Sequence, residues 1–341
     1  MLFRSFKGDL VVLYTDIPLL RSETILSMLD EHRKTGVIGT VLTAEINNPK
    51  GYGRIVRHKG SNLLKGIVEE KDLTAELQEC REINTGAYVF SAPEIFTALA
   101  EIDNKNAQGE YYLTDVIKIW QQRSQKVGAF KIDDAKEALG INNKIELAEA
   151  ERVMRERILR RHMLAGVTIE DPDNTYIEAA VEIDSETLIK PGCFLIGGTV
   201  IAGECEIGPY TTLIDCRVES GSHIFYSYCQ NAKVGGGCKV GPFSHLRAGT
   251  ELVGNNKVGN FVEVKQSSIG LGSKAAHLSY VGDAQLAENC NIGAGTIVAN
   301  YDGKKKNKTD IGANVFIGSH TTLVAPVKIG DGAKTGAGAV V

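Results

Sequence analysis

The stretch IDSETLIKPGCFLIGGTVIAGECEIGPYTTL, residues 183–213, repeats itself every six residues. Ile183, Ile189, Leu195, Ile201, Ile207 and Leu213 stand in one unbroken register. Four residues after the first five of them come Thr187, Cys193, Thr199, Cys205 and Thr211, all small. Such a pattern fits neither a helix, with a period of about 3.6, nor a half-buried strand, with a period of about 2. It fits a parallel β-helix, in which each hexad is one short strand and one corner and three hexads close a triangular coil. The large residue fills the prism interior, and the small one fits beside it near the corner. The register returns at Val234, Val240, Leu246, Leu252, Val258 and Val264, and again at Ile311, Ile317, Leu323 and Ile329.

Upstream of the prism, KIELAEAERVMRERILRRHML (144–164) contains no Gly or Pro and is rich in Ala, Glu, Leu and Arg. It predicts one helix, capped by Asn142 or Asn143 and ended by Gly166. Before that, apolar runs at 10–14, 37–42 and 87–90 alternate with helix-like segments at 22–32, 92–99 and 112–122, which predicts an α/β domain. The expected organisation is an α/β domain over 1–143, a linker helix over 144–165 and the prism over 166–341.

Composition narrows the function. With 38 Lys and Arg against 42 Asp and Glu, the net charge is −4, so no global field points to nucleic acid. The run Lys304-Lys305-Lys306 reads as a solvated loop. No apolar stretch is long enough to span a membrane. The opening residues MLFRSFK lack the apolar region of a secretion signal, so the expected location is the cytoplasm. Of 7 cysteines, Cys193, Cys205, Cys238 and Cys290 fall on the small hexad position and read as packing residues. No CxxC occurs, which argues against a cysteine-built zinc site. The first block opens within a few residues of an apolar strand, and the last coil has no polar cap. Both features read as a fragment of a longer protein.

The hexad register also serves as a ruler. Arg247 follows Leu246 and Lys265 follows Val264, so both hold the same place one full coil apart. At a strand spacing of about 4.8 Å each cation raises the cost of the other, and a phosphate between them would remove that cost. Two solvated surface cations are the bland alternative. Glu263 and Tyr280 align in the same way, once a one-residue slip at Ile269 is allowed. His277 lies nearby and is a candidate base, against the commoner structural role of a lone histidine. Between Val298 and Ile311 the register breaks into an insertion, the kind of loop that carries binding. Beyond it Ser319 and Ala337 share one position a coil apart. Their small side chains leave either a smooth groove for a long ligand or simply a packed corner.

The motifs LYTDIPL (13–19), GYGRI (51–55), GIVEEKD (66–72), EINTG (82–86), NAQGEYYLTD (106–115), GPFSHLR (241–247), VGNFVEVK (258–265), KAAHLSYVGD (274–283), NIGAGT (291–296) and NYDG (300–303) occur in this order. Together they resemble the bifunctional bacterial N-acetylglucosamine-1-phosphate uridyltransferase/glucosamine-1-phosphate N-acetyltransferase family, from about Asp9 to Val341. The resemblance implies an incomplete nucleotidyltransferase α/β domain and a left-handed parallel β-helix assembled as a homotrimer. The handedness rule for parallel crossovers would give right-handed coils, so handedness rests on the resemblance. It implies that Arg247, Lys265, Tyr280 and Asn291 hold glucosamine 1-phosphate and that His277 is the general base. Ala294, Asn300, Tyr301, Ser319 and Ala337 would line an acetyl-CoA groove between subunits. In the α/β domain it implies Gly53, Glu69, Asn84 and Asn142 as contacts to UDP-N-acetylglucosamine, and Asp16 with Asn142 as Mg²⁺ ligands. Thr15 stands where the family has Gly. The family's Gly-rich loop would lie upstream of residue 1 and its basic tail beyond residue 341. The expectation is therefore that acetyl transfer survives in reduced form while uridyl transfer from UTP is lost. In the family the product, UDP-N-acetylglucosamine, feeds peptidoglycan and lipopolysaccharide synthesis. Two rivals remain: a zinc enzyme like the γ-class carbonic anhydrase, using His223, His245, His277 or His320, and a non-catalytic trimeric scaffold that only binds a sugar phosphate.

Overall fold

The computed structural model describes residues 6–104 and 109–341. Residues 1–5 and residues 106–108 of the NAQGEYYLTD motif lie outside the described residues. The chain divides into two compact units, one up to Met154 and one from Arg155.

In the first unit the strands are β1 (Asp9–Leu13), β2 (Gly39–Glu45), β3 (Arg54–Arg57), β4 (Leu64–Val68), β5 (Glu82–Ser91) and β6 (Val127–Lys131). The helices are α1 (Ser22–Thr35), α2 (Glu94–Leu99) and α3 (Asp115–Gln122). The sheet runs β4-β3-β5-β2-β6, with β1 also paired to β5. Only β2 and β6 are parallel; the other pairings are antiparallel. β5 shows why the sheet has a core on each side. Its successive side chains alternate faces, so Tyr88 and Phe90 enter one core while Ile83, Ala87 and Val89 enter the other. On the first side Tyr88 stacks on Phe90 at 5.3 Å, and Phe90 meets Trp120 of α3 edge-on at 5.5 Å. On the second side α1 inserts Met28 and ends at Gly36, a left-handed cap whose N–H bonds the His32 carbonyl. The expected runs at 10–14, 37–42 and 87–90 lie in β1, β2 and β5. The short strands β3, β4 and β6 were not foreseen. Each has only four or five residues and carries Lys or Arg (RIVR, LKGIV, VGAFK), so no apolar run marks it.

Helix α4 (Lys144–Leu164) follows. Asn143 caps it: its side-chain oxygen accepts from the N–H groups of Ile145 at 2.9 Å and Glu146 at 3.1 Å. Glu146 returns a carboxylate to the Asn142 N–H at 2.5 Å, an exchange of the capping-box kind. No helix among the described residues is long and apolar enough to cross a membrane.

The second unit is a parallel β-helix of three 9-stranded sheets. The first face runs from Thr168–Ile169 to Phe316–Ile317, the second from Tyr176–Ile177 to Thr322–Val324, and the third from Glu182–Ile183 to Val327–Ile329. Every large hexad residue of the opening stretch is buried, as are Thr187, Cys193, Thr199, Cys205 and Thr211. The small position explains how hydroxyls survive inside. Thr187 Oγ1 donates to the Ala202 carbonyl at 3.1 Å, and Ser244 Oγ to the Gly259 carbonyl at 2.7 Å, so these two buried hydroxyls each tie one coil to the next. Burial pushes the Cys193 thiol up to about 11, which keeps it a protonated packing group.

Candidate active site

On the second face His245 pairs with Glu263 and Leu246 with Val264, so the next residues, Arg247 and Lys265, share one outward column a coil apart. The following rung of that column is Gly282, which pairs with Lys265. The cations are not bare, as the sequence alone suggested. Arg247 Nη1 donates to Glu263 Oε1 at 2.7 Å, and Lys265 Nζ lies 3.8 Å from Asp283 Oδ2. The Lys265 side chain is only 15% exposed. A Cβ on Gly282 would lie 2.4 Å from the Tyr280 hydroxyl, so glycine is what lets the phenol fold over the rung beside Lys265. Asn300 Nδ2 donates to that hydroxyl at 3.2 Å.

His277 ends a strand of the first face, at the corner that leads into the second, whereas Arg247 and Lys265 stand at the other end of the second face, toward the third. Asn260 pairs with His277, Ala275 with Ile292, and Ile292 with Ile317, while Phe316 bridges to Lys334. Two residues on from the inward positions, His277, Ala294, Ser319 and Ala337 therefore form one column. Main-chain bonds confirm the stacking: the Gly295 N–H bonds the His277 carbonyl at 3.3 Å, His320 N–H the Ala294 carbonyl at 2.7 Å and Gly338 N–H the Ser319 carbonyl at 2.8 Å. The imidazole thus stands on the first rung of a strip of small side chains about 14 Å long, three coil spacings. After His277 the corner residues Leu278 and Ser279 deliver the chain to Tyr280 on the second face.

Not all the expected sugar-phosphate residues share a face. Arg247, Lys265 and Tyr280 lie on the second face, whereas Asn291 stands on the first, paired with Lys274. The insertion closes over the second face. Asn300 is buried at its start, Tyr301 is exposed, and the Asp302 carboxylate accepts from the N–H groups of Lys304 at 2.9 Å and Lys305 at 2.8 Å. Lys304, Lys305 and Lys306 are exposed, as expected of a solvated run, and Lys306 also meets the Lys265 amine, whose hydrogen bond and like charge lower its pKa. Asp283 and Lys306 had no signal in the hexad register: one is a corner residue, the other lies in the insertion.

In the α/β unit a cavity of about 350 Å³ is lined by Asp16, Gly53, Glu69, Asn84 and Asn142, all five expected residues, together with Tyr14, Tyr52, Gly86, Thr114 and Glu146. Gly86 adopts φ +81, and a Cβ there would lie 2.4 Å from the Tyr14 ring, so the aromatic wall rests directly on backbone. Asn84 Nδ2 donates to the Tyr88 hydroxyl at 2.8 Å, while its oxygen accepts from Gly86 N–H at 3.2 Å. Burial raises the pKa of Glu69, opposed by a hydrogen bond from Thr114 at 3.1 Å. No group of three or more His, Cys, Asp or Glu suited to a metal occurs among the described residues. One Asp carboxylate and one Asn amide on a shared cavity still fit Mg²⁺, which takes few protein ligands and completes its shell with water and phosphate. His223 and His245 lie on different faces of the prism.

A protein-family model described as bacterial transferase hexapeptide (six repeats) matches residues 308–341. The bifunctional protein GlmU of Geobacillus sp. is 46% identical over 98% of this chain and 72% of its own length. That of Bifidobacterium animalis subsp. lactis is 48% identical over the same shares. The chain belongs to the bifunctional GlmU family. Among solved structures, a UDP-glucose pyrophosphorylase complexed with UDP-glucose matches 44% of this chain and 54% of its own, at 18% identity and a TM-score of 0.32.

Proposed function

We propose that this chain is a transferase of amino-sugar metabolism whose prism moves an acetyl group from acetyl-CoA to glucosamine 1-phosphate. The observation that carries this reading is a paired-cation column with Tyr280 on the second face, bordered by a histidine and a strip of small side chains that end the strands of the adjoining first face. The phosphate sits against Arg247, Lys265 and Tyr280, charge-assisted donors suited to a dianion. The acetyl-CoA arm lies along Ala294, Ser319 and Ala337 with Asn300 and Tyr301 at its side, which brings the thioester to His277. His277 takes a proton from the sugar amine as the nitrogen attacks the thioester carbon. The C–S bond then breaks, and the departing sulfur receives the proton. A thiol-release assay with acetyl-CoA and glucosamine 1-phosphate tests the reading. Sugar-phosphate binding by calorimetry without thiol release would instead mark a scaffold.

The cavity of the α/β unit is proposed to bind UDP-N-acetylglucosamine through Gly53, Glu69, Asn84 and Asn142. Asp16 and Asn142 would hold Mg²⁺, whose charge offsets that of a pyrophosphate. Uridyl transfer between UTP and N-acetylglucosamine 1-phosphate is the reaction such a site serves.

A homotrimer is part of the same reading. Asn291 faces away from the Arg247 column, so a neighbouring copy is the simplest way to bring both to one ligand. The corner between the first and second faces supports this. At five successive coils its left-handed slot holds Tyr210, Tyr226, Phe243, Phe261 and Leu278, all exposed, with the aromatic rings 5.3–5.9 Å apart. A non-glycine residue in that conformation costs roughly 1–2 kcal/mol, and an exposed ladder of them marks a contact surface.

A further inference from the structure

Asp283 lies outside every motif role assigned above, yet it touches both halves of the acetyl-transfer site. Its side chain is 20% exposed and adopts the left-handed corner conformation at φ +52. One carboxylate oxygen, Oδ2, is 3.8 Å from Lys265 Nζ and accepts from Asn300 Nδ2 at 2.5 Å. The Asp283 main chain extends the same links. Its N–H bonds the Lys265 carbonyl at 3.0 Å, and its carbonyl accepts from the Thr309 N–H at 3.1 Å. Both ends of the insertion, Asn300 and Thr309, are therefore anchored on this residue. Asn300 is 7% exposed, so its amide has little water to replace a lost partner.

We infer that Asp283 is a positioning residue that holds the phosphate-binding lysine and the coenzyme-side insertion in one arrangement, so that the two substrate subsites form together. The inference rests on the acetyltransferase reading of the prism. Without the carboxylate, the like charge of Lys306 beside Lys265 is no longer offset, and the two amines repel. Asn300 loses its short, charged acceptor and keeps the longer bond to the Tyr280 hydroxyl at 3.2 Å, so the start of the insertion is held less firmly. A loss at one residue thus reaches two ligands that touch different side chains.

The test is initial-rate kinetics of Asp283→Asn with both substrates varied. Asparagine is tolerated in the left-handed region, and Asn231 already occupies such a corner at φ +47, so the backbone should persist. The expected result is a rise of about tenfold or more in KM for glucosamine 1-phosphate and for acetyl-CoA, with kcat within about threefold and an unchanged melting transition. Asn300→Ala is the second variant: it should raise the KM for glucosamine 1-phosphate as well as for acetyl-CoA, although only the latter is its own ligand. If Asp283→Asn changes neither KM, or only one, while wild type turns over normally, the positioning role is wrong and the acetyltransferase reading stands. A glucosamine 1-phosphate KM unmoved in Asn300→Ala overturns the role in the same way. If wild type itself releases no thiol, both fall.

Discussion

Arg247 and Lys265 reach one column because each follows an interior residue of the same register, and the pairing of Leu246 with Val264 leaves them nowhere else to go. In the α/β unit, Asp16, Gly53, Glu69, Asn84 and Asn142 reach one cavity from four different segments and a helix cap. No repeat relates them. The prism is a site laid out by nearest-neighbour stacking, and the cavity is a site assembled by long-range packing. The two should therefore fail differently when a single residue is changed.

The sharpest difference is expected at His277. Its removal in His277→Ala should lower kcat for acetyl transfer by about 10²–10⁴, the usual share of a general base, while calorimetry with glucosamine 1-phosphate shows binding within a few-fold of wild type. Nucleotide binding in the α/β cavity should not change. A wild-type rate of thiol release from His277→Ala would remove the base from the mechanism.

Next in size is a change that never touches ligand. Leu246 is fully buried and sets the height of Arg247. Leu246→Ala should destabilise the prism by about 2–5 kcal/mol, read by chemical denaturation, and should weaken sugar-phosphate binding with it. Because coils interact mainly with their neighbours, the loss should spread along the prism and spare the α/β unit. Unaltered phosphate affinity in a folded Leu246→Ala protein would mean that stacking does not set the column.

Lys265→Met keeps the stem and deletes the charge. A charge-assisted contact contributes about 1.5–3 kcal/mol, so glucosamine 1-phosphate affinity should fall by about 10–100-fold with kcat at saturation changed far less. The same substitution removes the cation that lies 3.8 Å from Asp283 and leaves it Lys306, which makes this variant a check on whether the carboxylate and Lys265 act as a pair.

These residues also mark what the chain discloses before folding. The prism was legible because Ile183, Ile189 and Leu195 each dictate the next coil, and Arg247, Lys265, Ser319 and Ala337 could be placed by counting. Asp283 could not be placed so, since a corner residue is fixed by backbone conformation and not by the apolar period. Lys306 sits in an insertion that separates the paired residues Val298 and Leu323, so counting across it gives no address. Asn291 was grouped with Arg247 through the family resemblance, and only the pairing reveals that they occupy different faces. In the α/β unit, β1, β2 and β5 announced themselves by apolar runs, but the cavity did not. Its wall needs Tyr14 to lie across Gly86 and Glu69 to meet Thr114, contacts between segments that no spacing relates.

The smallest effect separates the two regions by sign. Glu69 is pressed toward its protonated form, first by burial and then by the charges of Asp115 and Asp72, against the hydrogen bond from Thr114. With its pKa raised in the folded state, the folded unit holds the extra proton between the unfolded and folded values. The stability linked to Glu69 is therefore full below its unfolded pKa and is lost as pH rises through its folded pKa. At neutral pH the charged carboxylate is a burden on the fold. Glu69→Gln keeps an acceptor for Thr114 and sheds the charge, so the melting transition of the α/β unit should rise, on the order of 1–3 °C, at pH 7 and by less as the pH approaches 4. Binding of UDP-N-acetylglucosamine, for which Glu69 is a proposed contact, should weaken in the same variant. Lys265→Met offers no such gain, since its carboxylate partner is left behind in a mostly buried setting. A Glu69→Gln protein that melts lower than wild type at pH 7 would show that the carboxylate supports the fold.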